Sequence, residues 1–299
     1  MRLVPLLSCG GLAFLLALSS GNASARTGGR FSTPFHSISA ARQPPASSVH
    51  VVSGTREKFD QARELIRGLT IRDAIPYLAE FFLGSPYLAM SLDGDGPEQL
   101  RLDLTRFDCM LFVEQLLALA TAKTFEQFAL HTQHLRYRDG EVGYCTRQHY
   151  FHNWAEAARS QGLLEASAVL PGQKSRNLSL NFMSNHRELY APLQSEELFS
   201  CIRDSESRVA QQYIPMAMIE AALPSLQSGD LFAIATSAEG LDVSHTGVVV
   251  RNGSRVDAIH AAPEKGVIRS RSLSRYLRSV PDAIGLVIVR PVIKMGFNR

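Results

Sequence analysis

The sequence predicts an α+β domain, with helices first and an antiparallel sheet after them. Three observations predict it. Apolar residues recur at helical spacing between residues 55 and 122. After residue 230 the chain breaks into five short segments rich in Val and Ile. Between two of these stands Asn252-Gly253, a dipeptide suited to a two-residue hairpin turn that needs positive φ at both central positions.

The elements follow in order. Phe59, Ala62, Leu65, Ile66 and Leu69 make one apolar stripe of a first helix. Asp73 can cap the next helix, with Pro76 in its first turn and Gly84 past its end. The run Met110 to Ala122 is apolar on all sides and reads as a buried helix. Thr124 and Gln127 form a capping box before another amphipathic stretch. Residues from about Phe125 to Leu226 hold aromatic patches and few strand signals, and read as a large helix and loop insertion. The expected strands are Asp230 to Thr236, Ser244 to Arg251, Arg255 to Ala261, Val267 to Ser270 and Ile284 to Arg290.

Composition bounds the function classes. The chain has 299 residues, 45% of them hydrophobic and 20% charged, as ordinary globular proteins do. Its net charge of +3, with Lys and Arg scattered, argues against a nucleic-acid partner. At the N-terminus, Arg2, the apolar stretch Leu3 to Leu18 and Ala23-Ser24-Ala25 form the three parts of a secretory signal peptide over residues 1–25. Pro5, Ser8, Gly10 and Gly11 interrupt that stretch, and no later segment is long and apolar enough to span a bilayer. The expected organisation is thus a cleaved signal at 1–25, a flexible Ser, Ala, Pro and Gly-rich leader at 26–54, and one domain at 55–299. The expected location is the periplasm or cell envelope. Cleavage removes Cys9 and leaves Cys109, Cys145 and Cys201. In an oxidising compartment an odd count suggests one reactive thiol beside a disulfide. Cys145 and Cys201 are a candidate pair, although sequence does not supply the geometry.

Cys109 opens the buried helix, where unpaired N–H groups and the positive end of the dipole favour a thiolate. A buried structural cysteine reads the same way until a base is found. The hairpin offers two. If Asn252-Gly253 is the whole loop, Arg251 pairs with Ser254 and His245 stands directly opposite His260 on one face. One imidazole then orients the other, the arrangement of nucleophile, base and orienter. Arg147, His149, Tyr150 and Trp154 crowd one stretch, either as a wall for a carboxylate and a sugar or peptide, or as core with a surface Arg. Asp242, three residues before His245, is a substrate or His contact or an ordinary turn residue. His131 with His134, and His149 with His152, have helical spacing without a third ligand, so no metal site is expected.

The ordered strings GSPYLAMSLDG, FDCMLFVE, SGDLFAI, SHTGVVVR and IHAA resemble the NlpC-type, papain-like cell-wall amidohydrolases. The intervening RYRDGEVGYCTRQHYFHNW, NFMSNH and GLDVSH resemble a narrower branch, the N-acetylmuramoyl-L-alanine amidase-like proteins first described as a domain of unknown function. The resemblance covers roughly residues 65–291. It implies a papain-like core with the insertion at about 125–226, and Cys109, His245 and His260 as catalytic set. It places Tyr87 and Asp108 beside the thiol, with Arg147, His149, Trp154 and Asp242 as further substrate-binding candidates. It implies a peptidoglycan or muropeptide substrate and no cofactor. Where NlpC-type relatives often carry Ser-Gly after the Cys, this chain has Met110 and Leu111. An endopeptidase of the peptide stem, an acyltransferase on another substrate and a wall-binding module without catalysis stand as alternatives. Thiol reactivity separates the last from the enzymes.

Overall fold

The computed structural model describes residues 49–93, 96–165 and 170–292. The expected signal segment and most of the expected leader lie outside the described residues. The described helices are α1 Thr55–Leu65, α2 Ile71–Phe81, α3 Cys109–Thr121, α4 Phe125–Arg136, α5 Phe151–Ser160, α6 Phe182–Asn185, α7 Glu196–Ser205, α8 Ile219–Ala222 and α9 Leu273–Ser279. The strands are β1 Val49–Val51, β2 Leu100–Leu102, β3 Lys174–Ser179, β4 Arg208–Pro215, β5 Leu231–Thr236, β6 Val243–Asn252, β7 Arg255–Ala262, β8 Gly266–Ser270 and β9 Ala283–Val289. Helices and an antiparallel sheet make this an α+β chain.

β3 to β9 form one antiparallel sheet in the order β3-β4-β9-β5-β6-β7-β8. β5, β6, β7 and β9 are buried on both sides because both faces of the sheet are covered there. Val248, Val250, Ile259 and Ala261 join the core under α2 and α3. Phe232, Ile234, Val249 and Ala258 join a second core with α8 and α9. α3 is buried along almost its whole length, which accounts for its uniformly apolar sequence. Burying a Leu or Phe side chain is worth about 1.5–3 kcal/mol, so this helix anchors the molecule.

Several sequence expectations need correction. The leader ends earlier than residue 54, because Val49–Val51 pairs in parallel with Leu100–Leu102. The region 125–226 is more than helix and loop. It contributes β3 and β4, and β4 joins the main sheet beside β9. Thr70, not Asp73, caps α2: its hydroxyl accepts the Asp73 N–H at 3.2 Å. Pro76 consequently lies inside the helix rather than in its first turn. At α4 the Thr124 half of the expected box forms, its hydroxyl accepting from Gln127 N–H, while the Gln127 amide oxygen accepts from Lys123 N–H, one residue before the cap, at 2.8 Å.

The hairpin also turns one residue later than expected. Asn252 pairs with Arg255, so the loop is Gly253-Ser254. Gly253 has φ 61° and Ser254 is not among the positive-φ residues, the pattern of a glycine-first turn.

Candidate active site

α3 starts at Cys109 because Asp108 caps it: the carboxylate accepts the Leu111 N–H at 2.7 Å. Burial is the main influence on Asp108 and pushes its carboxyl up to about 6. The cap thus occupies the Leu111 N–H of the first turn. Cys109 itself is buried. Cys145 and Cys201 form a disulfide.

Tyr87 is drawn to the same place by backbone pairing. It bridges Phe107, Leu88 N–H donates to the Phe107 carbonyl at 3.1 Å, and Phe107 N–H donates to the Pro86 carbonyl at 3.0 Å. The Gly-Ser-Pro-Tyr segment also docks on β8, where Val267 N–H donates to the Ser85 carbonyl at 2.8 Å. Burial first, then the charge of Asp108, raise the Tyr87 pKa, so its hydroxyl stays a donor.

On the sheet, the Thr246 hydroxyl donates to the Cys109 carbonyl at 2.6 Å. This ties the head of β6 to the first turn of α3. The two histidines meet there. His245 Nε2 and His260 Nδ1 are 2.8 Å apart, and the rings stand nearly perpendicular at 87°. They are not directly opposite, as the expected turn required, because the actual turn shifts the register by two. Two residues is an even shift and keeps both side chains on one face. A bulge then helps: Ala233 pairs with Thr246 but Ala235 with Val243, so Ser244 and His245 together oppose Ile234. Bulges re-aim side chains, and many lie beside active sites.

Burial holds both imidazoles neutral. His245 is pushed well below its ordinary 6.5 by desolvation and then by His260. His260 is pushed down to about 4 by desolvation and then by Lys265. Tyr276 of α9 stacks on the His260 ring at 4.3 Å. The Ser270 hydroxyl oxygen lies 2.9 Å from His260 Nε2. Sequence reasoning missed both Ser270 and Tyr276, since neither has a diagnostic spacing to the histidines.

A cleft of about 110 Å³ opens over the start of α3. Tyr87, Asp108 and Met110 line one side, and Tyr144, His149, Tyr150, Trp154 and Tyr190 line the other. The aromatic wall comes from the 125–226 region and is stapled by the Cys145–Cys201 disulfide. Trp154 Nε1 is a buried donor without a hydrogen-bond partner among the described residues. The His149 ring is walled in by protein and pushed down to about 3 by desolvation and then by Arg147. Arg147 borders the cleft with its guanidinium already committed. It donates to Asp93 at 2.6 Å and to both oxygens of Glu98 at 3.0 and 2.6 Å. Asp242 is not among the residues lining the cleft. It accepts the N–H of His152 at 2.7 Å and of Val243 at 2.9 Å, tying the start of α5 to β6. Among the described residues no group of three or more His, Cys, Asp or Glu is arranged to hold a metal ion. Nor is any described helix long and apolar enough to cross a membrane.

Solved structures share this architecture. An N-acetylmuramoyl-L-alanine amidase from Bacteroides uniformis is 32% identical, with a TM-score of 0.69, over 74% of this chain and 99% of its own. A putative xylanase from Bacteroides fragilis is 34% identical, with a TM-score of 0.66, over 71% of this chain and 98% of its own. A Legionella pneumophila protein, 21% identical with a TM-score of 0.66 over 80% of this chain and 94% of its own, shares the fold. Among curated proteins there is no match. The family model described as AmiA-like, N-acetylmuramoyl-L-alanine amidase-like, matches residues 77–286, a span that holds Tyr87, Cys109, the histidine pair and the aromatic wall, and the chain belongs to that family.

Proposed function

We propose that this chain is an exported cysteine amidohydrolase of peptidoglycan, cutting the amide between N-acetylmuramic acid and L-alanine. In this reading the core is papain-like, Cys109 is the nucleophile, His245 the base and His260 its orienter. The observation that carries the reading is the His245–His260 hydrogen bond, on a strand tied to the first turn of the Cys109 helix. The amidase-like family and the name of the Bacteroides uniformis neighbour support the bond class.

The chemistry needs the Cys109 sulfur as a thiol, which the reductant in the test below maintains. His245 spends Nε2 on His260, so Nδ1 serves as base. It takes the thiol proton, and sulfur attacks the lactyl carbonyl carbon. The C–N bond breaks as His245 returns the proton to the alanine nitrogen. Water then gives a proton to His245 and attacks the thioester carbonyl. The carboxylic acid leaves and the thiol is restored. Tyr87, a neutral phenol lining the cleft, is a donor for the developing oxyanion. The aromatic wall offers flat apolar surface to the sugar or peptide.

The neighbour named a putative xylanase raises glycoside cleavage as a second chemistry. That reaction ordinarily uses two carboxyl groups flanking the bond. In this cleft Asp93 is paired with Arg147 and Glu114 with Arg136, which leaves Asp108 alone. The amide reading is therefore preferred.

The test uses purified chain beginning at Arg26, with a reductant and a chelator, acting on muropeptides and read by mass spectrometry. The expected product is a free L-alanine amino terminus with an intact disaccharide. A new amine on a later stem residue would make it an endopeptidase by the same mechanism. Unchanged muropeptides, or undiminished activity in Cys109→Ala, would overturn the cysteine reading. Export is tested separately, by sequencing the N-terminus of protein from the cell envelope. Arg26 is the expected first residue, and an intact Met1 would overturn it.

A further inference from the structure

His260 makes a hydrogen bond at each ring nitrogen. Nδ1 faces His245 Nε2 at 2.8 Å and Nε2 faces the Ser270 hydroxyl at 2.9 Å. A neutral imidazole carries one N–H and one lone pair, so its two partners must play opposite roles. Burial keeps His260 neutral at ordinary pH. Two polarities of the chain are then conceivable. If Ser270 donates, His260 donates to His245, and the His245 proton must sit on Nδ1. That tautomer has no lone pair with which to take a proton from the thiol. If Ser270 accepts, every dipole reverses, and His245 carries its proton on Nε2 with a basic Nδ1.

The reaction selects the second polarity. Once His245 has gained the thiol proton, both its nitrogens carry hydrogen, and His260 Nδ1 must accept. We propose that Ser270 is a positioning residue, whose hydroxyl oxygen accepts the His260 Nε2–H and thereby holds His245 in the tautomer able to act as base. This rests on the cysteine amidase reading above. Ser270 is half-buried, so its own hydroxyl hydrogen can turn toward water.

The same short segment supplies the rest of the clamp. Ser270 ends β8, and three residues later α9 begins and delivers Tyr276 onto the His260 ring. That stack resists rotation of the imidazole away from its two partners. Asp257 fastens the segment, accepting the Ser272 N–H at 3.2 Å and pairing with Arg269 at 3.5 Å. The Ser270 position is therefore fixed by a buried carboxylate and not left to a mobile loop.

Three substitutions separate a tautomer role from a packing role. Ser270→Thr keeps the oxygen, Ser270→Val has the shape of Thr without it, and Ser270→Ala removes both. On muropeptides, Val and Ala should lower kcat by about 10- to 100-fold with little change in KM, as loss of an outer orienting partner does. Thr should stay within about threefold of the parent, since it retains the hydroxyl that the orienting bond uses. In parallel, 15N NMR of the imidazoles, without substrate, should show His260 and His245 each protonated at Nε2 in the parent. In Ser270→Val this signature should give way to a mixture. Parent-like kcat in Ser270→Val, or a parent His260 protonated at Nδ1, would overturn the proposal. If the cysteine reading is wrong, Cys109→Ala and His245→Ala will keep activity, and the NMR result alone then decides the role of Ser270. If a variant fails to fold, the parent spectrum still decides it.

Discussion

His245 and His260 share a hydrogen bond across a ladder that does not set them opposite each other. The β6–β7 pairing runs from Asn252 with Arg255 to Val248 with Ile259, and its next rung would put Gly247 across from His260. His245 reaches over from two residues further along, with the bulge at Ser244 and His245 turning its ring inward. Under the proposed cysteine mechanism the two histidines have unequal roles. His245→Ala should cost about 10²–10⁴ in kcat, the range for loss of a general base. His260→Ala should cost less, because the base remains and only its orientation is lost. Equal losses in the two variants, on muropeptides under reducing conditions, would contradict this division.

Gly247 makes the reach possible. A Cβ built there would lie 2.7 Å from the Ile259 carbonyl oxygen and 2.7 Å from the Phe232 ring. Backbone and a fully buried aromatic cannot yield cheaply. Gly247→Ala should destabilise the fold by about 1–3 kcal/mol through overpacking. It should also displace β6 from β7 and weaken the histidine bond. Urea unfolding measures the first effect. A variant with parent stability and parent activity would show that the strands separate without penalty.

The helices between 55 and 121 and the five C-terminal strands were legible because each carries the apolar period, or the continuous apolar run, that its burial demands. β3 and β4 were not. Lys174–Ser179 is an edge strand whose residues are mostly exposed, so its sequence has no apolar face to display. β1 was hidden by its length, three residues at the end of a Ser and Pro-rich stretch. The contact between the two histidines was expected from their places on the hairpin, but the turn was placed one residue early. The histidine contact survives that error because an even register shift does not change faces. Arg147 and Asp242 illustrate the opposite limit. Their type suggested ligands, whereas their partners Glu98, Asp93 and the α5 amide lie far away in sequence.

Arg147 should accordingly act on stability before it acts on substrate. It and both its carboxylate partners are at most 15% exposed. Removing one member of a buried ion pair costs about 3–5 kcal/mol, mainly through the charge left behind. Arg147→Met should therefore lower the urea midpoint strongly. A raised KM with an unchanged midpoint would instead mark Arg147 as a substrate ligand.

The Cys145–Cys201 disulfide closes a sequence separation of 56 residues around the aromatic wall. Loop-closure entropy for a loop of this size amounts to about 4 kcal/mol. Cys145→Ser with Cys201→Ser should lose a good part of that, read as a drop in Tm. A double variant as stable as the parent would mean that the wall holds without its staple.

His149 links the wall to acid sensitivity. Its folded pKa is near 3 against an ordinary 6.5, chiefly because desolvation disfavours the imidazolium. Between those values the unfolded chain binds the proton and the folded chain does not. The stabilising contribution is therefore present above about pH 6.5 and is lost as pH falls toward the folded value. Asp108 and Asp242 act in the other direction. Their folded pKa values of about 6 exceed the ordinary 3.8, so their contribution is present at low pH and is lost as pH rises through 6. Comparing two proteins that differ only at His149 cancels the carboxylates. His149→Gln cannot titrate, and its amide N–H can still donate to the Tyr144 carbonyl that His149 Nε2 meets at 2.8 Å. Near pH 7 the variant should be no more stable than the parent. With acidification the parent should lose ground by roughly 1.4 kcal/mol per pH unit, reaching about 2 kcal/mol near pH 5. Urea unfolding at a series of pH values measures the gap. Parallel profiles for parent and variant would show that His149 gains its proton without unfolding the wall.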